Sequence, residues 1–275
     1  MGQFFDEIPD FLFPWIKQQK MFWVATAPLS PSGHVNVSPK GFDGTFRILS
    51  KSKVWYEDLT GSGIETTAHL RENGRLTIMF CAFEGPPRIL RLFGTGAVYE
   101  YGTAEYNELL PAEKRQPGSR SVIMLDVHKV GTSCGYSIPF YTFKSNRMRL
   151  HIGMAKRELE DIRNESTTTS ANGNGVPTSS ALVSDKGLKV YWELANQKSI
   201  DGLPGLLTSF TARAGFDKGV ASRDWGQDDE SLISPGKQSF SLGHYVDARV
   251  VVGFVLGFVA SGLWGRILRT QLAHN

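Results

Sequence analysis

The feature that most restricts the fold is a succession of short strand-like segments separated by turn residues, with few helices between them. Each segment is rich in β-branched, aromatic and other apolar residues, and glycine, proline or serine marks most of the turns. The segments are 21–27, 34–37, 45–49, 54–59, 75–83, 88–99 and 121–130. A doubly wound parallel fold needs a helix after nearly every strand, so the pattern predicts a mainly β (α+β) protein with a closed or sandwiched sheet.

One segment runs through a glycine-rich corner into a helix. The strand at 54–59 is broken by Gly-Ser-Gly at 61–63, because glycine tolerates backbone angles that are closed to other residues, and a helical pattern follows. Such a corner presents unpaired backbone N–H groups beside the hydroxyls of Ser62, Thr66 and Thr67, which favours an anion such as a phosphate. An ordinary strand–helix turn with good capping residues explains the same sequence.

Composition excludes several classes of function. The 275-residue chain has a net charge of +3 and its lysines and arginines are scattered, so a basic nucleic-acid-binding face is not indicated. Cys81 and Cys134 lack CxxC spacing and the six histidines lack ligand spacing, so neither a disulfide framework nor a zinc site is predicted. The N-terminus has no basic region before an apolar run, so we expect no secretory signal and a reducing compartment, the cytoplasm.

The first third of the chain is predicted to begin with an amphipathic helix over 4–16, where apolar residues recur at three- and four-residue steps. The segments 21–27 and 34–37 are expected to form a hairpin that Ser-Pro-Lys-Gly at 38–41 closes. A further short helix is predicted at 104–110.

Composition changes divide the chain into parts. The strands predict a barrel over 1–145, followed by a helical extension over 146–210 with an apolar seam along 148–162. Residues 165–186 are rich in Ser, Thr, Asn and Gly and are expected to form a disordered loop. Residues 211–246 have the composition of a polar linker.

An apolar run at 250–265 predicts a membrane-spanning helix over 247–266. At ~1.5 Å per residue the run is somewhat shorter than a ~30 Å hydrocarbon core, and snorkelling of Arg249 and Arg266 would close the gap. We therefore expect a tail anchor in an intracellular membrane, with the rest of the chain facing the cytoplasm. A buried core helix or a dimerisation helix is the alternative.

Several stretches together resemble one family, the pyridoxamine 5′-phosphate oxidase-like FMN-binding split barrels, and its fungal branch in particular. The stretches, in this order and spacing, are HVNVSPKG, VWYEDLTGSGIETTAHL, RLTIMFCAFEGPPRILRLFGTG and SCGYSIP, with SIDGLPG further on. The resemblance implies a six-stranded antiparallel split barrel with flanking helices and a C-terminal extension. It also implies a homodimer with FMN in a groove at the dimer interface.

The resemblance further implies four groups of residues at the FMN. The end of the second strand would bring a polar or basic group to the flavin, a later strand would pass along its ring, and the glycine corner would hold its phosphate. Two arginines would add a phosphate or ring contact, unless they are exposed strand residues at a sheet edge. The strand end is Ser38, Pro39 and Lys40, and the later strand contributes Tyr56, Glu57 and Asp58. The corner contributes Ser62, Thr66 and Thr67, and the two arginines are Arg88 and Arg91.

The leading hypothesis is an FMN-dependent oxidoreductase of unknown substrate. Where the oxidases of the family carry Ser-Arg-Lys at the corner, this chain has Glu65-Thr66-Thr67, so the resemblance implies FMN binding more directly than pyridoxamine phosphate oxidation. No nucleophile–base pair is visible, so we predict no catalytic residue, and His69 and His128 are expected to be structural or surface residues. The alternatives are a non-catalytic module that holds flavin or haem and a membrane-tethered interaction protein without a cofactor.

Overall fold

The computed structural model describes residues 2–171, 185–212 and 215–233. One antiparallel sheet dominates it, with the order β3-β2-β6-β7-β8-β5-β4 and with β1 added to β8. The strands are β1 (Gln3–Phe5), β2 (Met21–Thr26), β3 (Asn36–Gly41), β4 (Phe46–Ser50), β5 (Lys53–Leu59), β6 (Arg75–Cys81), β7 (Ile89–Glu100) and β8 (Ser119–Ser133). The sheet forms a split barrel, so the predicted mainly β class is confirmed.

Helices flank the sheet in the part of the chain that is described. They are α1 (Leu12–Gln18), α2 (Glu65–Asn73), α3 (Ala104–Leu109), α4 (Arg149–Ala171), α5 (Leu188–Ala195) and α6 (Lys218–Ala221); the described residues also include a helix α7 (Glu230–Ile233). Single 3₁₀ turns lie at Ala112–Lys114 and Ser209–Thr211. The chain divides into two compact units, Met1–Asp228, which holds every described strand, and Asp229–Asn275, which holds α7.

The first hydrophobic cluster fills the barrel and is built by alternate residues of the strands. In β2, Phe22, Val24 and Thr26 are buried and the residues between them are partly exposed. α1 covers the same cluster with Leu12 and Ile16. The buried members are Ile8, Leu12, Ile16, Phe22, Val24, Val54, Tyr56, Leu70, Leu76, Ile78, Phe80, Leu90, Leu92, Ile123, Leu125, Val127 and Val130.

A second cluster lies on the other face of β5 and β8, where the C-terminal extension packs. Trp55 and Met124 of the sheet share this cluster with Trp192 of α5 and with Phe216. The indole Nε1 of Trp192 donates a hydrogen bond to Thr60 Oγ1 at 2.8 Å, so its one polar atom is satisfied. The extension is therefore part of the same folded unit as the barrel.

The N-terminal residues correct one prediction. The sequence predicts a helix over 4–16, but β1 pairs with residues 130–132 of β8 and α1 begins only at Leu12. The reason is that β5 covers β8 only as far as Asp126, which leaves backbone groups of β8 free to pair beyond that point. The sheet accordingly has eight strands rather than the six that we expected.

The hairpin of β2 and β3 is longer than predicted. Residues 38–41 do not close it, because they belong to β3 and stay in register with β2 as far as Gly41, opposite Met21. The chain turns after this strand, where Phe42 adopts a left-handed φ of 73°.

The C-terminal boundaries also differ from the prediction. The sequence predicts a loop over 165–186, but α4 continues to Ala171, since no glycine or proline interrupts it before position 173. Residues 172–184 lie outside the described residues.

The predicted polar linker over 211–246 is folded over 215–228, which belongs to the first unit. The reason is Phe216, which is buried and stacks on Tyr101 with ring centroids 5.0 Å apart. The predicted membrane anchor over 247–266 lies outside the described residues. Among the residues that are described, no helix is both long enough and apolar enough to cross a membrane.

A buried carboxylate fastens the extension to the sheet. Glu100 at the end of β7 accepts hydrogen bonds from the backbone N–H groups of Leu207, Thr208 and Ser209, each at 2.8 Å. The hydroxyls of Thr208 and Ser209 donate to it as well, and Arg71 forms an ion pair with it. Burial by itself would raise the pKa of Glu100, but these hydrogen bonds outweigh it and hold the pKa below its usual value.

We predict that Glu100→Ala releases residues 207–209 from the sheet. Removing one partner of a buried charge network costs roughly 3 kcal/mol, so the free energy of unfolding should fall by about that amount. Hydrogen exchange at the amides of 207–209 should rise sharply, whereas Glu108→Ala, on the exposed side of α3, should change neither quantity. Unchanged exchange at these amides would contradict the assignment.

Candidate functional site

A row of polar side chains on β3 faces the barrel. Asn36, Ser38 and Lys40 alternate along the strand and stand opposite buried core positions of β2. Pro39 pairs with Trp23 and is exposed on the other face of the strand. Only two of the three β3 residues that the sequence proposes therefore lie on the same side.

The row is tied to α2 by hydrogen bonds. The amide Nδ2 of Asn36 donates to Thr66 Oγ1 at 3.0 Å and to Thr26 Oγ1 at 3.1 Å, and Ser38 Oγ donates to Asn36 Oδ1 at 2.7 Å. His69 Nδ1 lies 2.9 Å from Thr26 Oγ1, and burial lowers the pKa of this histidine. The network brings the predicted residues Ser38 and Thr66 together from different elements.

An ion triad lies beside this network. Asp58 of β5 is buried and accepts from Lys40 Nζ at 2.7 Å and from Arg120 Nε at 2.8 Å. Burial alone would raise the pKa of Asp58, but the charges of Arg120 and Lys40 outweigh it and lower that pKa to about 2. Lys40 lies on the edge strand β3 and Asp58 on β5, and these two strands share no backbone pairing. The ion pair between them therefore connects parts of the sheet that backbone hydrogen bonds do not.

The glycine corner is already well occupied. Arg120 Nη1 donates to the carbonyl of Gly63 at 2.9 Å, and Asn196 Nδ2 donates to the carbonyl of Gly61 at 3.0 Å. The carboxylate of Glu65 lies against Gly63, where a Cβ would find no room. No side chain caps the first turn of α2, so an anion would still find backbone N–H groups there. The carboxylate of Glu65 in the same turn, however, would repel a phosphate.

A short segment of the extension, residues 199–205, docks against the same corner. The backbone N–H of Ile200 donates to Glu65 Oε1 at 3.3 Å. Asp201 accepts from the backbone N–H of His34 at 2.8 Å, and its Oδ1 lies 2.6 Å from His34 Nδ1. These hydrogen bonds from His34, the side-chain one first, lower the pKa of Asp201. The segment SIDGLPG thus connects the β2–β3 turn to the start of α2.

The remaining residues proposed for the corner and for β5 have different environments. The ring of Tyr56 packs 5.4 Å from that of Phe22, and Lys40 Nζ lies 5.7 Å from its centroid. Burial raises the pKa of Tyr56 well above its usual value. Thr67 is fully buried and its hydroxyl has no hydrogen-bond partner among the described residues, whereas Ser62 is exposed.

Glu57 lies on the opposite face of β5 from Tyr56 and Asp58. It faces the extension, where its carboxylate accepts from the backbone N–H of Gln116 at 2.6 Å. Burial is the main cause that raises the pKa of Glu57 to about 7, and the hydrogen bond from Gln116 only partly offsets it. The three consecutive residues that the sequence proposes along a flavin ring therefore divide between two faces.

The two arginines lie away from the β3 row. Arg91 pairs with Met79, which pairs with Trp23, which pairs with Pro39, so Arg91 and Pro39 share a sheet face. Three strand spacings separate these two residues, which corresponds to roughly 14 Å. The guanidinium of Arg88 lies 5.5 Å from the ring centroid of Trp15 on α1. Arg88 directly precedes β7 and Arg91 lies within it, and both are only partly exposed. Because β7 is paired on both sides, neither arginine fits the alternative of an exposed residue at a sheet edge.

Comparison with known proteins identifies the family. Residues 8–134 match the family described as pyridoxamine 5′-phosphate oxidase. The chain is also 38% identical over 220 residues to the pyridoxamine 5′-phosphate oxidase family protein ustO of Aspergillus flavus, with 78% of this chain and 82% of that protein covered. The chain belongs to the pyridoxamine 5′-phosphate oxidase family.

Solved structures resemble this member of the pyridoxamine 5′-phosphate oxidase family more distantly. HupZ of Group A Streptococcus is 22% identical, with 45% of this chain and 91% of that chain covered and a TM-score of 0.37. An FMN-binding protein of Syntrophomonas wolfei is 12% identical, with 44% and 81% covered and a TM-score of 0.31. The haem storage protein HutZ of Vibrio cholerae is 17% identical, with 45% and 94% covered and a TM-score of 0.30.

In this family member, sequence reasoning missed three residues of the site. Asn36 shares the alternation of Ser38 and Lys40, so the period of two along β3 could have identified it. Arg120 and Asn196 come to the corner from β8 and from the end of α5, 57 and 135 residues away along the chain. No local pattern signals such contacts.

We predict that Asp58→Asn destabilises the protein by roughly 3 kcal/mol at pH 7, because two cations would lose their shared carboxylate. The pKa of Asp58 is lowered from 3.8 to about 2, so the folded state binds fewer protons than the unfolded state in that interval. The stabilisation is complete above pH 4 and is lost as the pH falls towards 2. Urea unfolding at pH 7 and pH 3 should therefore show a smaller difference between variant and parent at pH 3.

The exposed Asp126 provides the control for that experiment, and Asp126→Asn should change the unfolding free energy by less than about 1 kcal/mol. An Asp58→Asn protein as stable as the parent at pH 7 would show that the triad does not hold β3 to β5.

We predict the opposite pH dependence from Glu57. Its pKa is raised from 4.5 to about 7, so the folded state keeps a proton that the unfolded state has lost, and stability falls as the pH rises through this interval. Glu57→Gln should remove this loss, worth roughly 3 kcal/mol, and should be more stable than the parent at pH 8. Thermal unfolding at pH 5 and pH 8 measures both effects, and the exposed Glu113→Gln should behave like the parent.

Proposed function

We propose that this protein binds FMN and acts as a flavin-dependent oxidoreductase on a substrate still to be identified. The observation that carries the proposal is the donor set around Lys40. An ammonium group and the hydroxyls of Ser38 and Thr66 lie on one partly buried surface, where the hydroxyl of Ser38 would turn from Asn36 Oδ1 to a bound phosphate. Asn36 itself already donates both of its amide protons, to Thr26 and Thr66. Several donors and a cation are what a phosphate requires when it is held away from water.

The charges at this surface suit a phosphate. Lys40 and Arg120 share the single carboxylate of Asp58, which leaves the triad with a net positive charge. Lys40 uses one of its three N–H groups for Asp58, and 18% of its side chain remains exposed. Because Glu65 occupies the glycine corner, we assign the phosphate to Lys40, Ser38 and Thr66 rather than to the corner itself.

A bound flavin would supply the hydride chemistry, and the chain would supply orientation and charge. The ammonium of Lys40 is the group that we assign to this role, because the ring of Tyr56 beside it is fully buried in the barrel. His69 is buried against Thr26 and His128 is exposed on β8, so neither is proposed as an acid or base.

A homodimer is part of the proposal. Val35, next to β3, and Val37 within it are exposed by 72% and 61%, and β3 is an edge of the sheet. Tyr136 and Phe140, after β8, are exposed by 84% and 80%. Apolar side chains beside an open sheet edge are a surface that a second copy would cover.

The test is a titration of the purified full-length protein with FMN, followed by flavin fluorescence and by the visible spectrum before and after NAD(P)H is added. Lys40→Gln should weaken FMN binding by roughly 10- to 100-fold, because a charge-assisted hydrogen bond is lost. Ser38→Ala should weaken it by a few-fold. Arg91→Gln is the matched control and should leave the affinity unchanged.

Each outcome separates the hypotheses. A protein that neither carries nor binds FMN is not a flavoprotein, whereas reduction of the bound flavin by NAD(P)H would support the oxidoreductase and identify its electron donor. Equal affinities of the parent and Lys40→Gln would refute the assigned phosphate site even if FMN binds.

A further inference from the structure

A cavity opens at the end of β3 that carries Gly41, and the proposed function makes no use of it. It has a volume of about 360 Å³ and lies between the C-terminal turn of α1 and the turn from β3 to β4. We call it the α1 pocket. Its floor is formed by Phe22, Phe46 and Phe80, and its rim by Lys17, Lys20, Asp43 and Arg47.

The floor is a triangle of aromatic rings. The ring centroids of Phe22, Phe46 and Phe80 lie 5.1 to 5.6 Å apart. Phe22 and Phe80 are almost completely buried in the barrel, whereas Phe46 is only partly buried. The part of the floor that a flat apolar group could cover is therefore the exposed side of Phe46.

The rim carries more positive charge than its own carboxylate neutralises. Lys20 Nζ contacts both oxygens of Asp43, at 3.1 and 3.2 Å. Lys17 and Arg47 make no side-chain hydrogen bond or ion pair with the residues that the structure describes, and both are exposed. Arg47 pairs with Trp55 in the register of β4 and β5, so it reaches the pocket from the rim and not from the face of Phe46. Two uncommitted cations at the rim of an apolar pocket favour a ligand with one anionic group.

One wall of the α1 pocket is held in an unusual conformation. Phe42 has a φ of 73°, a left-handed angle that is costly for a bulky residue. Its ring is fixed against His151, with centroids 4.0 Å apart, and His151 in turn packs on Trp225. Backbone strain that neighbours hold in place is found preferentially at ligand sites, where it keeps a wall in position.

We propose that the α1 pocket binds a small aromatic carboxylate, separately from FMN. The ring would lie on the phenylalanine floor and the carboxylate would pair with Arg47 and Lys17. A cavity of about 360 Å³ is at the small end of ligand sites, which suits one ring or two fused rings. An inorganic phosphate would leave the floor uncovered, and a neutral aromatic molecule would leave the two cations unpaired.

The experiment uses the full-length protein and two probes of nearly the same shape, 2-naphthoate and the neutral 2-naphthamide. Isothermal titration should show that 2-naphthoate binds at least about tenfold more tightly than the amide, because only the acid pairs with the rim. Arg47→Gln should remove most of that difference. Arg47 is exposed on β4, so the variant should keep the fold, which its thermal unfolding verifies.

Two further variants fix the location. Ile48→Trp would place a large ring in the cavity and should abolish binding of both probes, whereas Lys114→Gln removes an exposed charge elsewhere and should have no effect. Equal binding of the two probes, or binding that survives both Arg47→Gln and Ile48→Trp, would overturn the proposal.

A last titration separates this site from the FMN site. If FMN displaces 2-naphthoate competitively, the probe occupies the flavin site and the proposal fails. If 2-naphthoate binds equally well with and without FMN, or binds to a protein that takes up no FMN, the α1 pocket stands whatever the outcome for the flavin.

Discussion

The structure depends on one buried carboxylate that holds two cations. Asp58 lies on β5 and binds Lys40 of the edge strand β3 and Arg120 of β8, so side chains close the barrel where backbone pairing stops. Arg120 continues the connection to the carbonyl of Gly63, at the start of α2. A single charged centre therefore connects the edge strand β3 to β5, to β8 and to the start of α2.

This arrangement also explains why Lys40 is suited to an anion. A lone ammonium at a partly buried position would carry a large desolvation cost, and Asp58 offsets it. Arg120 then compensates for Asp58 in turn, so that the group as a whole keeps a positive charge instead of being neutral. The neighbouring hydroxyls of Ser38 and Thr66 are oriented by Asn36, which spans β3 and α2. The binding role that we propose thus falls on side chains that also hold the fold together.

Local patterns in the sequence were sufficient for most of the fold and for part of the site. Alternating apolar residues and glycine turns identify the strands, and helical spacing after the corner identifies α2, because these signals act within a few residues. The period of two along a strand separates Glu57 and Pro39 from their neighbours without any register, but the family resemblance grouped them as consecutive residues. Partners such as Arg120 and Asn196 are set by contacts across the whole chain and have no local signal.

The hydrogen bonds of Glu100 have a consequence for how this protein can change by mutation. Three of its donors are backbone N–H groups of residues 207–209, which almost any amino acid supplies. Evolution can therefore vary the exposed side chain of Leu207 widely, apart from proline, without losing this attachment, whereas Thr208 and the buried Ser209 also contribute their hydroxyls. Glu100 itself has no such freedom, because a single carboxylate serves every donor. The two sides of one contact thus carry very different constraints on sequence divergence.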